Sequence, residues 1–145
     1  MDNKESALLF GKIGGVSSLV HYLARKYADT NVQSSAISCL LILSSFRGQL
    51  QTIIQEANTF PLLIALLDSS VDKLVIYICD TIQNLCIDNE QNRKYFCGCD
   101  APAKLTRAIS SASDHNPLRL ILLHTLKIIC SHIGTFKCKV LPYCD

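Results

Sequence analysis

One spacing of apolar residues occurs three times along this chain of 145 residues and constrains its fold more than any other feature. Between residues 72 and 87, large apolar residues recur every three or four positions, which predicts an amphipathic helix that Asp72 would cap. The same spacing begins at Val32, 42 residues before Leu74, and at Leu118, 44 residues after Leu74. This recurrence lies in the range of solenoids built from two- or three-helix repeats. We therefore predict three related helical units.

Each predicted long helix follows two shorter apolar segments, so a unit should contain a short, a medium and a long helix. In the first unit, Gly14 and Gly15 mark the first turn, because glycine adopts positive φ at little cost. In the second unit, residues 57–59 replace this pair, and Pro61 suits the first turn of the next helix. Pro102 follows Pro61 by 41 residues, so the register persists. The predicted helices are 4–12, 16–23, 32–45, 49–56, 60–67, 72–87, 90–97, 101–109 and 117–131.

The chain contains eight cysteines, which raise the alternatives of a disulfide framework or a metal site. Four lie inside predicted helices among Leu and Ile, where a buried structural thiol is the better interpretation: Cys39, Cys79, Cys86 and Cys130. The other four lie at helix ends or in the C-terminal tail: Cys97, Cys99, Cys138 and Cys144. Their spacing does not match the close pairs of a zinc knuckle. We predict no metal and no cofactor.

Composition bounds the class of protein. Apolar residues make up 49% of the chain, which supplies a core and argues against disorder. The longest apolar run, residues 118–130, is interrupted by charged residues and is too short to span a bilayer. Residues 1–5 carry charges of both signs, unlike a secretion signal. We therefore expect a reducing, intracellular location, in the cytoplasm and also in the nucleus.

Charge is distributed unevenly along the chain. Residues 1–90 contain 6 Lys and Arg against 9 Asp and Glu, a net charge of −3, and residues 91–145 contain 8 against 3, a net charge of +5. The basic residues of the second part are dispersed over several predicted elements and form no basic run, so they give weak support for nucleic acid. Binding of nucleic acid or of an acidic partner through the third unit stays the alternative to binding of a protein segment.

The residues resemble the armadillo repeat family. Its glycine turn and paired-leucine helix are similar to Gly14, Gly15, Val16, Leu19, Val20 and Leu23. The second unit resembles the same pattern at Phe60, Pro61, Leu63, Ile64, Leu66 and Leu67. The family's long-helix signature is similar to Ile78, Ile82, Asn84, Leu85 and Cys86. HEAT repeats are the second choice, since the glycine turn and the additional short helix favour armadillo.

The resemblance implies an all-α fold, a right-handed α-solenoid of three armadillo-like repeats of about 42 residues. The domain would cover residues 4–131, with repeats at about 4–45, 46–88 and 89–131, and residues 132–145 would form an irregular tail. Three repeats are about the minimum for a stable array, and the terminal units lack polar caps. We therefore expect either a fragment or short isoform of a longer solenoid, or self-association through the terminal repeats.

In armadillo proteins the long helices line a concave groove that holds an extended or helical segment of a partner. The family's groove positions correspond here to Asn31, Ser35, Ser38 and Ile42 in the first repeat. In the second repeat they correspond to Lys73, Tyr77, Asp80 and Asn84, and in the third to Pro117, Ile121, His124 and Ile128. Asn84 is the sharpest candidate, because an amide can bond both the donor and the acceptor of a partner backbone. Ser38, Asp80 and His124 stand where importin-like members carry Trp, so classical nuclear import is not implied.

The resemblance and the residues together predict a non-catalytic module or scaffold that binds a protein or peptide segment. An enzyme is the opposing hypothesis. His124 and His132 lie eight residues apart with Cys130 between them, but a nucleophile needs a base that a third group orients. The sequence contains no phosphate-binding glycine loop, metal-ligand cluster or serine elbow. We therefore predict no catalytic residues.

Overall fold

The computed structural model describes residues 3–25 and 29–131. This part of the chain forms nine α-helices and no strand, which confirms the all-α prediction. The helices are α1 Asn3–Lys12, α2 Gly15–Leu23, α3 Thr30–Ser45, α4 Gln49–Glu56, α5 Thr59–Leu66, α6 Asp72–Cys86, α7 Glu90–Cys97, α8 Ala101–Ser111 and α9 Pro117–Cys130. We refer to α1–α3, α4–α6 and α7–α9 as the first, second and third groups. The predicted tail, residues 132–145, lies outside the described residues, and so do Cys138 and Cys144.

In the first and second groups, the turn between the first two helices uses left-handed backbone. Gly14 precedes α2 with φ of 91°, as the glycine pair predicted. In the second group, Asn58 takes this place with φ of 58°. Asparagine is one of the few residues that adopts this conformation readily, because its short polar side chain can bond locally. The substitution of asparagine for glycine therefore preserves the turn.

The starts of the long helices differ from the prediction in one respect. Asp29 caps α3 by accepting from the amide of Asn31 at 2.9 Å, and Asn116 caps α9 by accepting from the amide of Leu118 at 3.0 Å. Asp72 was predicted to cap α6, but it lies in the first turn, and Val71 precedes the helix without a side-chain cap. The Asp72 carboxylate instead accepts from the side-chain amide of Asn116 at 3.1 Å. A bond to α9 has replaced the local one.

The long helices form the centre of the structure. The middle helix, α6, packs against α3 on one side and α9 on the other, while α2 packs on α3 and α8 packs on α9. Because α6 is covered from two sides, eight of its fifteen residues are buried: Leu74, Val75, Ile78, Cys79, Thr81, Ile82, Leu85 and Cys86. Burial of this apolar surface is the main favourable term in the folding of such a layer.

The short helices pack between groups as well as within them. Helix α1 packs against α4, and Gly11 is buried there with the side chains of Leu50 and Ile53 next to its Cα. Between the second and third groups, the Phe60 ring lies 4.8 Å from the Phe96 ring, centre to centre, and 5.3 Å from the Tyr95 ring. The core is therefore continuous from the first group to the third.

The predicted burial of the four helical cysteines is confirmed for two of them. Cys79 and Cys86 are fully buried in α6, whereas Cys130 is partly buried and Cys39 is exposed. The prediction for Cys39 is wrong because, within residues 3–25 and 29–131, no long helix precedes α3 to cover the face that carries this residue. Thr81, at the matching place in α6, is fully buried.

Candidate functional site

The ten residues proposed for the groove are all at least partly accessible to solvent, and none is buried. We call this set the candidate surface: Ser35, Ser38, Ile42, Lys73, Tyr77, Asp80, Asn84, Ile121, His124 and Ile128. Its most exposed apolar member is Ile42, at 59%. Eight of the fifteen residues of α6 are buried, so the accessible side chains of the middle long helix are a minority.

Two members of the candidate surface meet within α6. The Lys73 ammonium lies 5.8 Å from the centre of the Tyr77 ring, a distance at which cation–π attraction is significant. In α3, by contrast, the Ser35 hydroxyl donates to the backbone carbonyl of Asn31 at 3.0 Å, so it is engaged in its own helix. The aromatic face of Tyr77 and its neighbouring cation are thus the best-defined recognition elements in the middle of the surface.

Asp80 of the second group lies close enough to His124 of the third group for the two side chains to interact electrostatically. Partial burial raises the pKa of the Asp80 carboxyl above its ordinary value, and the charge of nearby His124 opposes this shift. The two residues occupy matching positions, 44 residues apart, on α6 and α9. The candidate surface therefore contains a carboxylate on α6 and an imidazole at the matching position of α9.

Asn84 differs from the other members of the set. Its side-chain nitrogen donates to the Ser44 hydroxyl at 3.1 Å and lies 3.4 Å from the Leu41 carbonyl oxygen. Both acceptors belong to α3, so the donor half of the amide is used inside the molecule. The structure therefore gives Asn84 a role in joining α6 to α3, and this role was missing from the sequence interpretation.

Gln83, next to Asn84, makes the corresponding bond on the other side of α6. Its side-chain nitrogen donates to the hydroxyl of Thr125 at 2.9 Å, and that hydroxyl donates to the Ile121 carbonyl at 2.8 Å. The thiol of Cys79 also bonds to Thr125. Sequence reasoning missed this cluster, although a polar Gln and Thr 42 residues apart among apolar neighbours were the available signal.

A polar cleft of about 350 Å³ lies apart from the candidate surface, between α4 and the connection from α6 to α7. Arg47 and Asp88 form an ion pair across it, and the cleft is also lined by Gln51, Thr52 and Asn89. The sequence signal for it was a pair of opposite charges 41 residues apart. Both charged side chains are mostly exposed, so the pair contributes little to stability.

Residues 3–25 and 29–131 contain neither a candidate metal-ligand cluster nor a helix that could span a membrane. In these residues no three His, Cys, Asp or Glu side chains lie close enough together to hold a metal ion. The helices of the same part of the chain are all too short or too polar to cross a bilayer. Comparison with protein-family models finds no match, and comparison with curated proteins finds none.

Proposed function

We propose that the chain is a right-handed solenoid of three armadillo-like repeats, and that it is a non-catalytic module that binds a partner protein. Support for the stack comes from two bonds between α6 and α9. Asn116 bonds to Asp72 near the helix starts, and Gln83 bonds to Thr125 further along. The residue nearer the start of α6 bonds to the residue nearer the start of α9, and the later residue of α6 bonds to the later residue of α9. The two helices therefore run side by side in the same direction. Parallel neighbouring long helices are what a repeat stack requires and what a closed up-and-down bundle lacks.

The candidate surface supports the binding proposal, because it offers matching side chains at matching places on neighbouring parallel helices. The observation that carries the proposal is the pair Asp80 and His124, which occupy equivalent positions on the parallel helices α6 and α9 and lie close enough for the charge of His124 to act on the Asp80 carboxyl. A partner segment that crosses the long helices would contact one such row after another. The proposed partner is an extended or helical segment of another protein, bound in the cytoplasm or nucleus.

The chemistry of the surface favours a partner with a cation and an aromatic or apolar side chain. Asp80 supplies a partly buried carboxylate, and a carboxylate with less access to water binds a cation more strongly than an exposed one. Tyr77 supplies an aromatic face one turn away, and Ile121 and Ile128 supply apolar contacts on α9. Aromatic side chains commonly contribute most of the binding energy at protein interfaces.

Nucleic-acid binding through the third group has less support from the structure. Three of its basic residues already pair with carboxylates of this chain: Lys94 with Glu90, Lys104 with Asp68, and Arg119 with Asp114. Arg107 also lies 3.9 Å from Asp68. Cations that are neutralised in this way contribute less to binding of phosphate. A steep loss of affinity with rising salt would nevertheless identify a nucleic-acid partner.

The proposal is tested by selecting binders from a random linear peptide library with the wild-type chain and measuring their affinities for variants. Tyr77→Ala combined with Asp80→Lys should weaken selected peptides at least about tenfold, because it removes the aromatic face and reverses the charge. Glu56→Lys, an exposed charge reversal on α4, is the matched control and should leave affinity unchanged. Equal binding by the double variant would place the site elsewhere. Asn84 is left intact, because its replacement would disturb the contact with α3.

A further inference from the structure

The two ends of the helix stack are uncovered at positions that are covered inside it. Residues 42 apart in α3 and α6, and 44 apart in α6 and α9, occupy matched positions. At the end formed by α9, Leu123 is 46% exposed, whereas its matches Cys79 and Ile37 are fully buried. Each of those two helices has a following long helix, and α9 has none in residues 3–25 and 29–131. We call this surface the α9 face; it also includes Leu120, which is 72% exposed.

The opposite end shows the same pattern at a different set of positions. Val32 of α3 is 46% exposed, whereas its matches, Leu74 and Leu118, are buried. Cys39 is exposed, and its match Thr81 is fully buried. The matched helices each have a preceding long helix, whereas no long helix precedes α3 in the part of the chain that the structure describes. We call this surface the α3 face; Leu9 of α1 and Ile13, which follows α1, add further exposed apolar side chains to the first group.

These two faces are complementary because the contact between α6 and α9 inside the molecule joins surfaces that match them. The surface of α6 that matches the α9 face packs on α9, and the surface of α9 that matches the α3 face packs on α6. We propose that the occupant of the α9 face is the α3 face of a second copy of this chain, so that copies associate end to end and continue the helix stack. This association does not depend on peptide binding at the candidate surface.

The internal contact specifies which residues would meet. Inside the molecule, both Cys79 and Gln83 bond to Thr125. In the contact between copies, α9 takes the place of α6, and α3 of the next copy takes the place of α9. Leu123 and Lys127 then match Cys79 and Gln83, and Cys39 of the next copy matches Thr125. Leu123 and Lys127 of one copy would therefore lie against Cys39 of the next. This places an apolar side chain against a small polarisable thiol, a combination that packs well.

The symmetry of this contact distinguishes it from an ordinary dimer. A contact between two different faces leaves one free α3 face and one free α9 face on every assembly, so growth continues with concentration. A contact of one face with itself would stop at two chains. The average mass of the wild-type chain should therefore rise steadily with concentration in sedimentation velocity, without a plateau at the dimer.

Two face variants test the arrangement. Leu123→Glu introduces a charge on the α9 face, and Val32→Glu introduces one on the α3 face; glutamate suits both positions in a helix, and at Val32 it lies in the first turn, where a negative charge is favourable. Each variant alone should be monomeric, because one of its two faces is blocked. An equimolar mixture should form a complex of two chains and no larger species. Ile87→Glu, at an exposed residue between the second and third groups, is the matched control and should associate as the wild type does.

Several outcomes would overturn the proposal. A wild-type chain that stays monomeric at all concentrations would contradict end-to-end association. If the chain then associated only after removal of residues 132–145, that segment would be the occupant of the α9 face. One face variant that still dimerises alone would show a face pairing with itself. A mixture that stays monomeric would show that the two faces do not meet. Circular dichroism of each variant, unchanged from the wild type, keeps these results separate from unfolding.

Cysteine chemistry gives an independent measurement. A Leu123→Cys chain treated with diamide should form a disulfide between copies that joins the new thiol to Cys39, as identified by mass spectrometry of the linked peptides. An Ile87→Cys chain should form this link with Cys39 at least tenfold less. In the wild-type chain, alkylation of Cys39 should slow as concentration rises. Equal linkage from both engineered positions, or alkylation that does not change with concentration, would contradict the proposed register.

Discussion

The side-chain nitrogen of Asn84 donates to the hydroxyl of Ser44 at 3.1 Å, across the contact between α6 and α3. The backbone carbonyl of Asn84 accepts in turn from the side chain of Gln51 on α4, also at 3.1 Å. One residue of the second group therefore bonds to two helices, the last helix of the first group and the first helix of its own. This polar cluster lies where the chain passes from one group to the next, and it fixes how the two groups meet.

Asn84→Ala should lower the free energy of unfolding by about 1–2 kcal/mol, because the Ser44 hydroxyl and the Leu41 carbonyl lose a donor in a partly buried place. Urea denaturation followed by circular dichroism measures this change. Gln55→Ala, on the exposed side of α4, is the matched control and should change stability by less than about 0.5 kcal/mol. A variant with full stability and lost peptide binding would return Asn84 to a role in recognition.

The helix boundaries could be predicted from the sequence because their signals are local. The α1–α2 turn was predictable from Gly14, whose φ is positive, and the start of α8 was predictable from Pro102 within the first turn. The period of apolar residues in each long helix depends only on neighbours three and four positions away. Signals of this kind are complete within one stretch of sequence.

The roles of individual side chains were less predictable because they depend on residues more than forty positions away. Asp72 is a residue type that commonly caps helices, yet its carboxylate bonds to Asn116, the N-cap of another helix. Cys39 has the same apolar neighbourhood as the buried cysteines, yet it is exposed, because no long helix precedes α3 among the described residues. A sequence pattern identifies which positions are apolar, and the packing of neighbouring helices decides which of them are covered.

Phe96→Ala should lower the free energy of unfolding by about 3–5 kcal/mol, because Phe96 is fully buried and its ring packs against Phe60. Its neighbour Tyr95 contacts the same ring but is 44% exposed, so Tyr95→Ala should cost about 1 kcal/mol. Chemical denaturation of both variants compares two adjacent aromatic residues of one helix. Equal losses would show that the contact between the second and third groups does not depend on the buried ring.

The cysteines of α3 and α6 should differ in their reactivity. Cys39 is exposed, whereas Cys79 and Cys86 are fully buried, and burial raises the pKa of both buried thiols to about 12. Because the thiolate is the reactive form, brief treatment of the folded, dilute chain with iodoacetamide should label Cys39 and spare the buried pair. Mass spectrometry of the digested chain measures the labelled fraction, and denaturation before treatment should make all three residues react. Rapid labelling of Cys86 in the folded chain would mean that α6 opens readily.

The raised pKa values of the buried thiols also predict a loss of stability in alkali. The unfolded chain releases these protons near the ordinary value of 9.0, and the folded chain releases them near 12. Between these values the folded state binds more protons, so its stability falls as pH rises, by up to about 1.4 kcal/mol per pH unit for each thiol. Urea midpoints measured through this range test the slope. Cys86→Ser should reduce the slope, because serine does not ionise there and Ser44 already occupies the matching position of α3. Cys39→Ser is the matched control and should retain the full loss, since Cys39 is exposed in the folded chain; an equal slope in the two variants would contradict burial of Cys86 as the cause.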